Sequence, residues 1–324
     1  MKILRIALAG LVFALTSCEN SGEQNAYLLK SLGNINTLQV IIENDLWNGE
    51  VGEEIRGFFA APVDGLPQDE PLFSMNQMPP STYTDFARKY RTFLHVTIGD
   101  TTGVAIKKNP YAKPQIGAFI VGKDIADIKR LLEKNYQQII SAFKKSEIIE
   151  KQRRIKISLK KTDSLKKFFG VNMRLPSAYR SALETEDFIW YRKALKSGET
   201  NIIVYQVPLG LIRSDSTSVA DIITIRDSIG GDYMPVEEGG RFITEEAYAP
   251  YIFKTKIDDR FAYETKGIWE VKTQFMGGPF INYAVRDSIN NRYLIIEGFV
   301  YAPATSKRDL QFELEAILRS MKFE

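Results

Sequence analysis

The sequence predicts an α+β protein built from two mixed modules, each a mainly antiparallel sheet covered by helices. Three observations predict it. Short runs rich in β-branched and aromatic residues recur along the chain, bounded by Gly, Pro, Asn and Asp, as strands and their turns do. Longer amphipathic stretches come after groups of strands rather than between each pair, which favours segregated helices over a strictly alternating βα pattern. The 324 residues are 44% hydrophobic and 26% charged, the composition of a globular chain with a large core or two ordinary domains.

In the first half, Thr37 to Glu43 (TLQVIIE) reads as a buried strand. Trp47, Val51, Ile55, Phe58 and Phe59 recur at helical spacing and predict a helix from Trp47 to Ala60, closed by Pro62 and Gly65. Further strands are expected at Leu72 to Met75, Thr92 to Ile98, Val104 to Lys107 and Gln115 to Val121. A long helix begins after Asp124, whose side chain suits an N-cap, and carries one apolar stripe from Ile125 to Phe143. From Lys144 to Lys167 there are ten basic residues against three acidic ones, and the boundary between the halves falls in or just after this run.

In the second half, Val171 to Pro176, Asp187 to Lys193 and Asn201 to Val207 read as strands. A helix is expected from Ser218 to Ile229, ended by Gly230-Gly231 as a glycine cap. Strands follow at Ala262 to Thr273, Ile281 to Asp287 and Arg292 to Tyr301, the last two joined by a turn at Asn290-Asn291. Lys307 to Ser320 closes the chain as a helix. The repeated theme of strands followed by an amphipathic helix hints at an internal duplication.

The start of the chain has the layout of a secretory signal. Lys2 and Arg5 precede an apolar stretch, Ile6 to Leu15, far short of the roughly 20 residues that span a bilayer. The single cysteine follows directly, in Leu15-Thr16-Ser17-Cys18. The expected organisation is a signal peptide at 1–17, a tether acylated on Cys18 at 18–36, an N-terminal α+β domain at 37–152 and a C-terminal one at 153–324. Two or three acyl chains on Cys18 would hold the protein stably at a membrane, whereas one is marginal.

Removing residues 1–17 takes Lys2 and Arg5 away and lowers the formal charge from +3 to +1. Near-neutrality argues against nucleic acid as a partner. One cysteine and one histidine exclude a disulfide framework, a cysteine metal site and a two-histidine metal site. A catalytic triad would have to use His95, which instead reads as one face of the strand Phe93 to Ile98. No cofactor is expected. Gly117 to Lys123 has the spacing of a phosphate loop, but Asp124 stands where Ser or Thr would hold Mg²⁺, and Ala118 to Val121 reads as strand.

Two clusters are the candidate binding residues. Trp269, Phe275, Gly277, Gly278, Pro279 and Phe280 combine aromatics with small residues, which reads first as a bulge or tight turn and second as a place where a ligand approaches the backbone. Asp69 and Glu70 lie between Pro67 and Pro71 in a stiff loop. They are the acids that a glycan hydrolase, which needs two carboxylates across a sugar, would draw on. The basic run Lys144 to Lys167 reads as a solvated helix face, with attraction to lipid phosphates as the alternative.

The stretches Leu46-Trp47-Asn48-Gly49-Glu50-Val51-Gly52, Gly65 to Phe73, Gly267 to Val271, Phe275 to Phe280, Glu297 to Pro303 and Lys307-Arg308-Asp309 resemble a family of Bacteroidetes envelope lipoproteins carrying a domain of unknown function. The resemblance covers nearly the whole mature chain and implies an envelope location, without an activity to carry over. The order of elements from about 171 to 324, ending in Ser320-Met321-Lys322-Phe323, resembles the PsbP-type α/β/α sandwich, whose members are mostly non-catalytic accessories. The expected function is therefore a non-catalytic, lipid-anchored protein on the periplasmic face of the outer membrane. It would bind an envelope protein, or a glycan or lipid ligand, in envelope assembly or maintenance; carboxylate-dependent glycan hydrolysis is the alternative.

Overall fold

Strands buried on both faces need unbroken apolar runs, and Thr37–Ile41, Thr92–Ile98 and Ile116–Gly122 supply them. In the computed structural model, which describes residues 28–324 except 215, 235, 237 and 238, these three form the centre of a five-stranded sheet. Its order is Ser74–Met78, Thr37–Ile41, Thr92–Ile98, Ile116–Gly122, Gly103–Lys108. The signal segment, Cys18 and the start of the tether lie outside the described residues.

Pairing across the chain is mainly antiparallel, as expected, but this smaller sheet departs from it. Three of its four neighbour pairs are parallel, and Gly103–Lys108 alone runs antiparallel to its neighbour. The connections explain the difference. After Thr37–Ile41 the chain crosses over through helices α1 (Asn44–Asn48) and α2 (Glu50–Phe59) before re-entering the sheet, the arrangement that parallel strands require. The single helix expected at Trp47 to Ala60 is divided at Gly49, whose backbone is extended. Val51, Ile55 and Phe59 form the buried face of α2.

Helix α3 (Ile125–Ile155) starts as expected, with Asp124 Oδ1 accepting the Asp127 N–H at 2.8 Å. It then serves two cores. Ile128, Leu132, Ile139 and Phe143 pack against the five-stranded sheet, while Ile148 and Ile155 pack into the core of the second half. A short helix, α4 (Asp163–Phe169), follows and ends at Gly170, which takes the left-handed φ of +67° that a C-terminal cap demands.

The second sheet has eight strands, all paired antiparallel. From Ile243–Thr244 it passes through Arg260–Val271, Met276–Asp287, Arg292–Tyr301, Gly198–Pro208 and Phe188–Leu195 to Arg180–Glu184, with Tyr251–Ile257 also paired to Arg260–Val271. Alternate residues feed opposite faces: Ile202 and Val204 belong to one core, Ile203 and Tyr205 to the other. Helix α6 (Arg308–Leu318) covers the first face and helix α5 (Ser218–Tyr233) the second. The α+β class therefore stands.

Two expectations need correction, and the start of the described chain adds an observation. α5 runs through Gly230-Gly231 to Tyr233, because the glycines serve packing rather than capping: a Cβ on Gly230 would lie 2.7 Å from the Phe242 ring. The duplication does not hold, since a mostly parallel five-stranded sheet and an antiparallel eight-stranded one are different folds. The described part of the tether is stitched down. Leu29–Lys30 pairs with Ala112–Lys113, and the carbonyls of Gly33 and Asn34 accept from Arg91 at 2.7 and 2.6 Å.

Candidate functional site

The glycine–aromatic cluster is mostly core. Trp269 is 2% exposed, stacks on Phe242 at 4.9 Å and donates its indole N–H to Val300 O at 3.1 Å. Phe280 is fully buried. Gly277 and Gly278 are ordinary strand residues paired opposite Glu270 and Trp269, so the expected bulge or turn at the glycines is not there. Gly278 is required by a close approach of strands, because a Cβ there would sit 1.9 Å from Val300 O. The turn falls at Lys272–Gln274 and Phe275, and Phe275 takes a φ of +48° and is 99% exposed. Of the six residues, only Phe275 presents its side chain to a partner; Pro279 is buried with Phe280.

Asp69 and Glu70 point to different places. Both Glu70 oxygens are used: Oε1 accepts the Lys307 N–H at 2.6 Å and Oε2 the Arg308 N–H at 2.9 Å. Glu70 thus caps α6 from the other half of the chain, a favourable placement of negative charge at a helix start whose own N-cap residue makes no side-chain bond. Asp69 is exposed and rims a separate pocket of about 310 Å³ with Asp64, Tyr248 and Tyr251. Asp64 is exposed too, so this pocket holds no buried acid of the kind a glycosidase uses for protonation.

The basic run does not form one solvated face. Glu150 pairs with Arg153 and Arg154, and Lys151 reaches Glu313 on α6 at 2.6 Å. Glu147, with no exposed side-chain surface, pairs with Arg91 at 2.9 Å. Lys144 opens into a cleft of about 740 Å³ between α3, α6 and the edge of the large sheet. Cavities of roughly 300–1,000 Å³ are the size that small-molecule sites take.

The cleft has two characters. Ile140, Ile148, Ile149 and Ile257 make an apolar wall. At the other side, Arg319 bonds Glu315 Oε1 at 2.9 Å and Glu264 Oε2 at 2.5 Å, and Lys266 reaches Glu264 Oε1 at 2.9 Å. Burial alone would raise the Glu315 carboxyl, but Lys266, Lys144 and Arg319 overrule it and hold it at about 2. Burial also opposes the charge on Lys266, yet Glu315 and Glu264 outweigh it and raise that pKa. Lys144 is the exception. Burial lowers its pKa, and Glu315 offsets this only in part, because among the described residues Lys144 forms no ion pair. The sequence could have signalled this site only weakly, through Glu264 and Lys266 on one strand face and Glu315 and Arg319 one helical turn apart.

His95 lies where the strand reading put it, half-buried between the rings of Tyr83 and Phe119 at 5.9 and 5.8 Å. Its Nε2 is buried without a partner, and burial lowers its pKa from 6.5, so the ring is neutral at pH 7. The unfolded chain therefore takes up the proton first as pH falls, and the fold loses stability below about pH 6.5 towards the depressed folded value. Urea midpoints should drop between pH 7 and 5, and the drop should be smaller in His95→Gln; equal slopes would contradict this account. Gly117 to Gly122 lies in a strand, so its backbone is committed to the ladder and forms no phosphate cradle.

Behind the aromatic cluster lies a buried ion pair between α5 and the sheet. Arg226 Nε donates to Glu297 Oε1 and Oε2 at 2.9 and 3.1 Å, and its Nη1 donates to Thr244 at 3.0 Å. Its Nη2, 2.9 Å from Oε1, is too bent to count as a hydrogen bond. Burial raises the Glu297 pKa, with Arg226 opposing. The guanidinium is stacked over Phe280 at 4.0 Å and Phe242 at 4.8 Å.

Among the described residues no group of three or more His, Cys, Asp or Glu is placed to hold a metal ion, and no helix is long and apolar enough to cross a membrane. Comparison with curated proteins gives no match. Among solved structures, the Saccharomyces cerevisiae Ran-binding protein Mog1p is similar at 9% identity and a TM-score of 0.30, over 47% of this chain and 89% of that one. Residues 31–156 match a domain of unknown function, DUF8532. Residues 158–320, half of the chain, match a second, and the protein belongs to the family described as domain of unknown function DUF4837.

Proposed function

We propose that this is a non-catalytic envelope lipoprotein of the Bacteroidetes type, anchored through acyl chains on Cys18 at the periplasmic face of the outer membrane, which binds a ligand or partner in the cleft between its halves. The observation that carries the binding reading is the cleft itself: an apolar wall facing a cluster in which every lining carboxylate is already matched by a cation. Asp258 pairs with Lys322 at 2.6 Å, and Glu264 and Glu315 are held by Arg319. Such carboxylates are poor nucleophiles and poor general bases, because their charge is spent on structure. The anchor reading rests on the layout from Lys2 to Cys18. Glycan hydrolysis has less support, since Glu70 is occupied as a helix cap and Asp69 is exposed.

The test is capture of bound molecules by the natively acylated protein from its own membranes, beside Cys18→Ala and Ser141→Trp. Ser141 is an exposed residue of the cleft wall, so tryptophan there fills the cleft without disturbing a core. Cys18→Ala should move the protein to the soluble fraction, and Ser141→Trp should remove the bound species while leaving the protein at the membrane. An identical set of captured molecules with Ser141→Trp would rule the cleft out as the binding site.

A further inference from the structure

The cleft is not electrostatically balanced. Its three lining carboxylates are paired, but Lys144, Lys145 and Lys256 also line it, and none of the three forms an ion pair among the described residues. Lys144 is the innermost of them and is shared with a small chamber behind the cleft, enclosed by Lys266, Glu315 and Gln311 among others. That chamber is about 20 Å³, room for about one water. Gln311 is 3% exposed, and both its amide oxygen and its amide nitrogen are buried without a partner. A water in that chamber has the room and the partners to serve this amide and to bridge it to a polar guest at Lys144. The opposite wall offers isoleucines, of which Ile149 is 58% exposed on α3. A cationic inner end and an open apolar wall in one cavity are complementary to a guest with the same division.

We propose that the cleft binds an amphiphilic anion, its carboxylate or phosphate head at Lys144, with Gln311 reached by way of a water in the chamber, and its alkyl tail along Ile140, Ile148, Ile149 and Ile257. The proposal deepens the binding function given above and rests on the cleft being the binding site. A head without a tail leaves the isoleucine wall wet. A tail without a head leaves the inner lysine desolvated and uncompensated, so neither half alone should bind well.

Titration calorimetry of the full chain carrying Cys18→Ala, which removes its own acyl chains, tests this with decanoate, decyl phosphate, decanol, decyltrimethylammonium and inorganic phosphate, each below micelle formation. Decanoate and decyl phosphate should bind, and the other three should bind at least about tenfold more weakly, the worth of one charge-assisted hydrogen bond. The ratio of the two anions tells a carboxylate head from a phosphate head. Lys144→Met removes a half-buried charge and keeps an unbranched side chain of similar length, and should weaken decanoate about tenfold while leaving decanol unchanged. Ile149→Asp, at a largely exposed position that folding tolerates, should weaken both anions. Decanol binding as tightly as decanoate, or a Lys144→Met protein with unchanged decanoate affinity, would overturn the head-group assignment. No binding by either anion would end the proposal, whereas the cleft as such stands or falls on Ser141→Trp in the capture experiment.

Discussion

Replacing Glu297 with alanine is expected to destabilise the protein by about 3 kcal/mol, because it leaves a buried guanidinium with Asp227 Oδ1, a distant 3.5 Å from Nη1, as its remaining counter-ion. Arg226 is 1% exposed and Glu297 not at all, so water cannot take over either role. The rings of Phe242 and Phe280 on the guanidinium recover part of the loss, roughly 1–2 kcal/mol for a desolvated cation–π contact. Arg226→Met alone should cost as much, now leaving the carboxylate with only Asn282 Nδ2, at 2.9 Å, to satisfy it. The double replacement Arg226→Met with Glu297→Leu should come close to the parent, since an apolar pair of similar volume avoids desolvating two charges. Urea unfolding of the three variants measures all of this in one cycle. A single variant losing less than about 1 kcal/mol would mean that the pair is better hydrated than its burial implies.

How much of the fold the sequence carries depends on how one-sided each element is. α3 was legible from Asp124 onward because its apolar stripe is sustained, and the turn at Asn290-Asn291 because Asn291 takes a φ of +50°. Among the described strands of five residues or more, two were missed, Tyr251–Ile257 and Arg180–Glu184. Both are edge strands with mostly exposed residues, so no alternation of burial marks them. The parallel pairing in the first half could not be read either. Its central strands are covered on both faces, and a continuous apolar run says nothing about the direction of its neighbour. At Gly230-Gly231 the local signal pointed to a helix end, and tertiary packing decided otherwise, because Phe242 needs the space that a side chain would fill.

The candidate site was less legible, for a physical reason. Gly277, Gly278 and Pro279 look like a turn in isolation, but the constraint on Gly278 is the carbonyl of Val300 on the next strand. Glu70 looked like a free acid until α6, more than 230 residues later, placed its N-terminus against it. The cleft draws Lys144, Glu264 and Glu315 from three elements spread over some 170 positions of the sequence, none of them marked by a motif. What the sequence did show was the excess of cations from Lys144 to Lys167. It could not show that Glu150 would pair with Arg153 and Arg154 and Glu313 with Lys151, while Lys144 formed no ion pair.

Glu147 carries the second large expected effect, because it joins three segments that are distant in sequence. Its Oε1 accepts from Arg91 Nε at 2.9 Å and Thr92 Oγ1 at 2.7 Å; its Oε2 accepts from Arg91 Nη2 at 3.0 Å and the Asn36 N–H at 2.9 Å. Arg91 in turn holds the carbonyls of Gly33 and Asn34, and Asn36 Nδ2 reaches Asp309 at the start of α6. Glu147→Ala should therefore cost about 3–5 kcal/mol, the price of an unpaired buried arginine, and should also loosen the segment from Leu32 to Asn36. Hydrogen exchange would separate the two consequences. Amides of residues 32–36 should lose protection well before those of Thr92–Ile98, whose ladder bonds do not depend on Glu147. Since α3 contributes Phe143 to one core and Ile155 to the other, the urea transition should stay single as it moves to lower denaturant. Two separated transitions in Glu147→Ala would instead mean that this ion pair, rather than the shared helix, couples the two halves.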